Sequence, residues 1–281
     1  MLVDAKNLLK RFKEQQKAVG AFNVSSIESL QAIFQACSIE KTKVFITTSS
    51  GESHYLIPEV VFSICKKLSE IYHVDYSLHL DHGDDEDWIK RCLDAGYNSI
   101  HADFGELEYE RNVEATKEIR KITDNYNAQL EGELGVIPLM YYQDKLQNNL
   151  ELTQPKQALE YISETGVDSL AISIGTQSGR YKNVKDMNLG LLIELNQLMP
   201  DLPFVLHGGS LLSKRQYQDC IRNGVAKINI NTELRLAYTK KLRMNMQDNP
   251  NEYAPYRLLK GCRKEMEKVV LEKLNIFRAD N

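Results

Sequence analysis

Along 281 residues, segments rich in β-branched and apolar residues alternate eight times with segments of helical periodicity, and few topologies accommodate that rhythm. The predicted strands are Ala18–Val24, Lys43–Ser49, Asp75–Asp81, Tyr97–Asp103, Ala128–Leu134, Asp168–Gly175, Pro203–His207 and Ala226–Asn231. The predicted helices are Ile27–Ile39, Pro58–Ile71, Glu86–Ala95, Val113–Asn125, Pro155–Thr165, Leu189–Leu198, Lys214–Asn223 and Glu233–Met246. Eight strand–helix units in roughly 250 residues predict an α/β fold, the (β/α)8 TIM barrel. No Pro/Ser/Gly-rich linker divides the chain, so residues 1–281 read as a single barrel domain. Extra helices are expected at both ends: the amphipathic pattern of Met1–Gln16 would plug the barrel floor, and Ala254–Asn275 adds a final helix or two. An open doubly wound sheet is the alternative, but no Gly-x-Gly-x-x-Gly follows any strand.

Punctuation agrees with this division. Thr153 is placed to cap a helix whose first turn holds Pro155, and Ser213 to cap the helix of the seventh unit. Gly166 and Gly224 stand where two helices should end before a strand begins. A net charge of −4 argues against a nucleic-acid partner, and Lys10-Arg11-Phe12-Lys13 reads as a solvated helix face. No apolar run approaches the roughly 20 residues of a membrane span. The charged N-terminal pattern is not that of a signal peptide. Cys37, Cys65, Cys92, Cys220 and Cys262 form no Cys-x-x-Cys pair, so reduced cysteines and a cytoplasmic location are expected.

Active sites of this barrel lie at the C-terminal strand ends. Those ends read Asn23, Ser49 with Ser50, Asp81 with His82, Asp103, Glu131 with Glu133, Gly175, His207, and Asn229 with Asn231. Strand interiors that close a barrel are expected to be mostly apolar, so this run of polar ends marks a candidate site. His82 and His207 are the candidate metal ligands, since neutral imidazole suits zinc; the bland alternative is a pair of hydrogen-bonded surface histidines. His79, on the strand of His82, should point away or lie deeper, in a structural role. Asp81 can shuttle a proton to a substrate hydroxyl or orient a ligand histidine. Glu131 and Glu133 share a strand face, one about 6.5 Å deeper than the other. With Asp103 they form an acidic rim. That rim is open to three readings: a paired-carboxylate hydrolase, a second metal position, or salt bridges to a barrel lysine. Gly208-Gly209-Ser210 and Asn229-Ile230-Asn231-Thr232 follow strands seven and eight, the usual phosphate position of this fold. The loop Gly175-Thr176-Gln177-Ser178-Gly179-Arg180-Tyr181-Lys182 adds glycines and two cations.

Taken as an ordered set, several segments resemble the class II, metal-dependent fructose-bisphosphate and tagatose-bisphosphate aldolase family. They are Ala21-Phe22-Asn23-Val24, Ser49-Ser50-Gly51, His79-Leu80-Asp81-His82-Gly83, Glu131-Gly132-Glu133-Leu134-Gly135, Asp168-Ser169-Leu170-Ala171, Gly175-Thr176, Leu206-His207-Gly208-Gly209-Ser210 and Lys227-Ile228-Asn229-Ile230-Asn231-Thr232. The resemblance implies reversible aldol cleavage of a phosphorylated ketose through a metal-stabilised enediolate, in carbohydrate metabolism such as glycolysis. It implies zinc or another divalent metal as cofactor, a phosphorylated sugar as substrate, and a homodimer or homotetramer. Residue by residue, it makes His82 and His207 metal ligands, Asp81 the proton shuttle, and Asp103 with Glu133 a secondary metal position. Gly179, Lys182, Gly208, Ser210, Asn229, Asn231 and Thr232 would hold the phosphate end, with Asn23 and Ser49 as further substrate contacts.

The chain departs from the family pattern at three points. Where the family carries Gly-Thr-x-His-Gly with its third metal histidine, this sequence has Gly175-Thr176-Gln177-Ser178-Gly179, and a serine hydroxyl is a poor zinc ligand. The family's Asp-Gly-Ser-His reads Asp103-Phe104-Gly105-Glu106. The loop that normally carries Gly-Gly-x-Glu-Asp with the enolising base offers Tyr141, Tyr142 and Asp144 instead. Glu106, His54 and His101 are the candidates to complete the metal site, although His101 should sit deeper than Asp103. Arg180 is a candidate for an additional substrate anion. A repurposed paralogue that binds a sugar phosphate without tight zinc is the alternative function. A metal-free lyase or isomerase using Arg180 and a tyrosine is a further one.

Overall fold

The computed structural model describes residues 1–137, 140–141, 145–146, 150–176 and 187–278. Eight parallel strands close into a barrel: β1 (Val19–Asn23), β2 (Val44–Ser49), β3 (Tyr76–Gly83), β4 (Ser99–Ala102), β5 (Gln129–Leu134), β6 (Ser169–Ile172), β7 (Phe204–Leu206) and β8 (Val225–Ile230). Each strand pairs with its neighbours in chain order, and β8 pairs back onto β1 with Val19 opposite Lys227. The fold is a (β/α)8 TIM barrel. A short antiparallel pair, Met140–Tyr141 with Lys145–Leu146, stands outside it.

All eight predicted strands form, with ends that move by up to three residues. β6 stops at Ile172 because the Ser173 backbone N–H turns to Thr153 Oγ1 at 2.8 Å. That bond also corrects the predicted cap. Gln154 occupies the N-cap of α7 (Pro155–Thr165) without a side-chain bond, while Thr153 ties the ends of β5 and β6 by donating to Leu134 O at 2.6 Å. Ser213 caps α9 (Lys214–Arg222) with a full capping box, and Gly166 ends α7 in the left-handed region.

One helix escaped the sequence reading. α3 (Ser50–Leu56) follows β2 directly, held by a Ser49/Glu52 capping box. At the N-terminal mouth, α1 (Ala5–Glu14) lays Leu8 and Leu9 against Val19, Ala21 and Phe45. At the C-terminal end, α10 (Thr232–Asp248), α11 (Pro255–Leu258) and α12 (Cys262–Phe277) complete the outer ring. All five cysteines are buried and unpaired. Among the described residues, no helix is long and apolar enough to cross a membrane.

Above the apolar floor the barrel interior is polar, which corrects the expectation of apolar strand interiors. Phe45 forms the boundary, edge-on to His79 and beneath the Lys227 ammonium. The hydrogen-bond chain then runs without a break. Lys227 Nζ donates to Glu131 Oε2 at 2.6 Å and to His79 Nε2 at 3.0 Å. His79 Nδ1 donates to Ser99 Oγ at 2.6 Å, Ser99 donates to Gln129 Oε1, and Gln129 Nε2 donates to Ser169 Oγ at 2.9 Å. His79 is thus deep and structural. Burial, reinforced by the Lys227 charge, holds its pKa well below the usual imidazole value.

Lys227 and Glu131 are both 0% exposed, and removing one member leaves the other charge buried alone. Lys227→Met should cost about 3–5 kcal/mol in equilibrium chemical denaturation. The double variant Lys227→Met/Glu131→Gln should recover part of that loss, because no uncompensated charge remains.

Candidate active site

Consecutive residues of a strand face opposite sides, so Asp81 and His82 can share the barrel mouth only if the strand is interrupted. It is interrupted: two residues of β3, Asp81 and His82, lie between Leu80 and Gly83, while only His101 of β4 lies between their partners Ile100 and Ala102. This bulge carries His82 at φ +59°, a left-handed conformation uncommon for a side chain of that size. Ser50 Oγ secures the turn by donating to His82 O at 2.5 Å.

The result is a ring of three imidazoles. Ring centroids are 4.9 Å apart for His82 and His101, 5.1 Å for His82 and His207, and 4.6 Å for His101 and His207. Each ring has a carboxylate on its far nitrogen. His82 Nδ1 donates to Asp103 Oδ2 at 2.5 Å, and His207 Nε2 donates to Glu131 Oε1 at 2.9 Å. His101 Nε2 lies 3.3 Å from Glu133 Oε2, short of hydrogen-bond geometry, and neither atom has another partner among the described residues. The near nitrogens converge: His82 Nε2, His101 Nδ1 and His207 Nδ1 stand 3.8, 3.9 and 3.9 Å from Asp81 Oδ1.

Asp81 is held by two amides. Asn229 Nδ2 donates to Oδ1 and Asn23 Nδ2 to Oδ2, each at 3.0 Å. Asn23 also reaches Glu52 Oε2 at 3.1 Å, and Glu52 pairs through its other oxygen with Arg235 at 2.6 Å. The electrostatics follow from this packing. Burial opposes ionisation of Asp81, but His82, His101 and His207 overcome it and hold its pKa well below the carboxylate range. Burial likewise opposes charge on His82, and the Asp81 and Asp103 carboxylates outweigh it, raising the imidazole to about 9. The same contest, won by Asp81, Glu133 and Glu131, pushes His101 well above its usual value. Of these carboxylates Glu131 alone is paired with a lysine, while Asp81, Asp103 and Glu133 face imidazoles.

Beside this cluster lies a surface suited to an anion. The turn after His207 needs Gly208 at φ +64°, and Tyr217 fixes it by donating to Gly209 O. Asn231 makes no side-chain cap on α10, which leaves the first backbone N–H groups of that helix, at Thr232, to other partners. Asn229 Oδ1 and Asn231 Oδ1 are buried without a partner among the described residues. Ser210 is buried on the loop that follows β7.

Comparison with known proteins gives the family. The model of the family described as fructose-bisphosphate aldolase class-II matches residues 3–281. The chain belongs to the class II fructose-bisphosphate aldolase family. Its fold superposes on the YdjI aldolase from Escherichia coli K12 with a TM-score of 0.86 at 28% identity, covering 100% of this chain and 99% of that one. It is also similar to fructose-bisphosphate aldolase from Campylobacter jejuni, with a TM-score of 0.84 at 20% identity over 99% and 96% of the two chains. At that identity the second likeness concerns the fold alone.

In this class II aldolase family member, the mouth brings together Asn23, Asp81, His82, Asp103, Glu133, His207 and Asn229 from the predicted set. Ser49 stands at the rim, where its hydroxyl is engaged in the α3 capping box. Gly179 and Lys182 lie outside the described residues, as do Ser178, Arg180, Tyr142 and Asp144. Of the proposed substitutes for a third histidine, His54 is stacked on Trp88 outside the cluster and Glu106 is exposed. His101, expected to sit too deep, joins the ring. Sequence reading missed Glu52 and Arg235. The Ser-x-x-Glu spacing of Ser49 and Glu52 is a helix-start signature and was the available signal for the first. In metal-free protein, imidazole NMR titration should place His82 near pH 9, and Asp103→Asn should shift that midpoint downward, since a neutral amide no longer stabilises the imidazolium.

Proposed function

We propose that this protein catalyses reversible aldol cleavage of a phosphorylated ketose with the help of a divalent metal ion. The observation that carries this reading is the convergence of carboxylate-backed imidazoles around Asp81, beside an anion-binding turn. The residues fit such an ion. One donor atom each from Asp81, His82, His101 and His207 lies within 4.8 Å of the others, as does one each from His82, His101, Asp103 and Glu133. His82 and His207 would hold the ion, with Asp103 and Glu133 close by. When bound, a divalent ion supplies Lewis-acid stabilisation of negative charge developing on a carbonyl oxygen.

The chain's own residues supply the rest. Asp81, kept ionised, takes the proton from the hydroxyl of the carbon that becomes the aldehyde as the carbon–carbon bond breaks. Its electrons pass to the ketone half, and in the condensation direction Asp81 returns the proton. Asn23 and Asn229 fix both carboxylate oxygens, so the proton acceptor keeps one position through the cycle. Gly208, Gly209, Ser210 and the start of α10 would take the phosphate, which orients the ketose with its reacting carbons toward Asp81.

The test is retro-aldol turnover of a panel of ketose mono- and bisphosphates by protein loaded with zinc or cobalt. Asp81→Asn should lower kcat by about 10²–10⁴-fold while leaving metal content unchanged. Binding of sugar phosphates with no turnover by the loaded wild type would instead favour a repurposed, non-catalytic paralogue.

A further inference from the structure

We propose that His101 is a full metal ligand, completing a three-imidazole site with His82 and His207 contributed by β3, β4 and β7. The proposal rests on the metal-dependent reading above and names its ligand set. A buried histidine with a purely structural role satisfies both nitrogens, as His79 does between Ser99 and Lys227. His101 is equally buried, at 0% exposure, but its bonding is incomplete. Its Nε2 faces the Glu133 carboxylate at 3.3 Å. Its Nδ1 has only a long 3.3 Å contact from the His82 backbone N–H, one that requires the neutral ring.

The arrangement matches that of His82 and His207. In all three, one nitrogen faces a carboxylate, which fixes the ring and raises its basicity, and the other nitrogen faces a common centre next to Asp81. With the Nε2 proton directed at Glu133, the lone pair of His101 lies on Nδ1, the atom 3.9 Å from Asp81 Oδ1. A rival grouping would bind an ion between His101, Asp103 and Glu133. Asp103 and Glu133, however, already face the far nitrogens of His82 and His101, where a carboxylate orients a ring. Three imidazoles favour zinc or cobalt over magnesium or calcium, which prefer all-oxygen sites.

The experiment uses the full chain, stripped by chelator and titrated with Zn²⁺ and Co²⁺ against a chromophoric competitor. Wild type should take up one equivalent of either ion, with Mg²⁺ unable to displace it. His101→Ala should weaken the ion by more than about 100-fold, and Glu133→Gln by about 10–100-fold, the range for a residue that supports a ligand. His101→Cys keeps a donor at that position. Its Co²⁺ form should show a thiolate-to-cobalt charge-transfer band, absent in wild type, that only direct bonding at position 101 produces. This readout stands even if the alanine variant does not fold. Wild-type affinity in folded His101→Ala, or cobalt-loaded His101→Cys without the band, would overturn the proposal. So would binding of two equivalents with only the weaker one lost in His101→Ala. A wild-type protein that takes up no ion would sink the metal-dependent reading itself, a separate result.

Discussion

The buried carboxylate of Glu131 ties the barrel's stability to its site. One oxygen neutralises Lys227, and the other fixes the ring of His207. An ion pair withdrawn from water gains little unless every remaining donor and acceptor is matched. Here the matching is extensive: Lys227 continues into His79, and the chain passes through Ser99 and Gln129 to Ser169, so strands β3, β4, β5, β6 and β8 meet in one hydrogen-bonded layer. The polar layer rests on Phe45 and the α1 plug, which keep water from the floor. A rotation of Glu131 would disturb both the barrel interior and the orientation of His207.

The mouth is built on a second local constraint, the bulge in β3. A regular strand would send Asp81 and His82 to opposite sides. The extra residue and the left-handed backbone of His82 bring both to one face, and the cost of that conformation is borne where the neighbouring sheet holds the turn. Gly132 shows a related economy in β5. It separates two glutamates that face inward, and on the outer side a Cβ would stand 2.7 Å from the Tyr161 hydroxyl. The Glu-Gly-Glu sequence thus serves two surfaces, acids toward the mouth and close helix packing behind.

Eight strands were legible because the sheet's outer face follows the period-two pattern and the helices between have the period of an amphipathic face. The interior was harder to read. Ser77, Ser99, Gln129 and Ser169 look like solvent-facing residues in a sequence, and only closure of the barrel turns their side toward one another. Thr153 looked like a cap because it precedes Pro155 by two residues, yet the ends of β5 and β6 compete for its hydroxyl and win. His101 looked too deep because strand position alone sets depth. Side-chain reach and the bulge opposite it in β3 bring its ring level with His82. The place of Asp81, His82 and His207 at the barrel mouth was legible because each stands at a strand end.

The orientation of the amides bears on what the mouth accepts. Asn23 and Asn229 direct their NH₂ groups at Asp81, which as a carboxylate can only accept. Their carbonyl oxygens are left buried, without partners among the described residues. A buried acceptor calls for a hydrogen-bond donor, such as a hydroxyl, at each of these two positions. The opposite holds at the β7 turn and the start of α10, where uncapped backbone N–H groups favour an anion. Unpaired acceptors thus stand beside Asp81, and backbone donors stand at the start of α10. A ligand that satisfies both carries several hydroxyls at one end and a phosphate at the other. Under the proposed function, a simple phosphate ester, lacking hydroxyls, would leave Asn23 and Asn229 desolvated and unpaired.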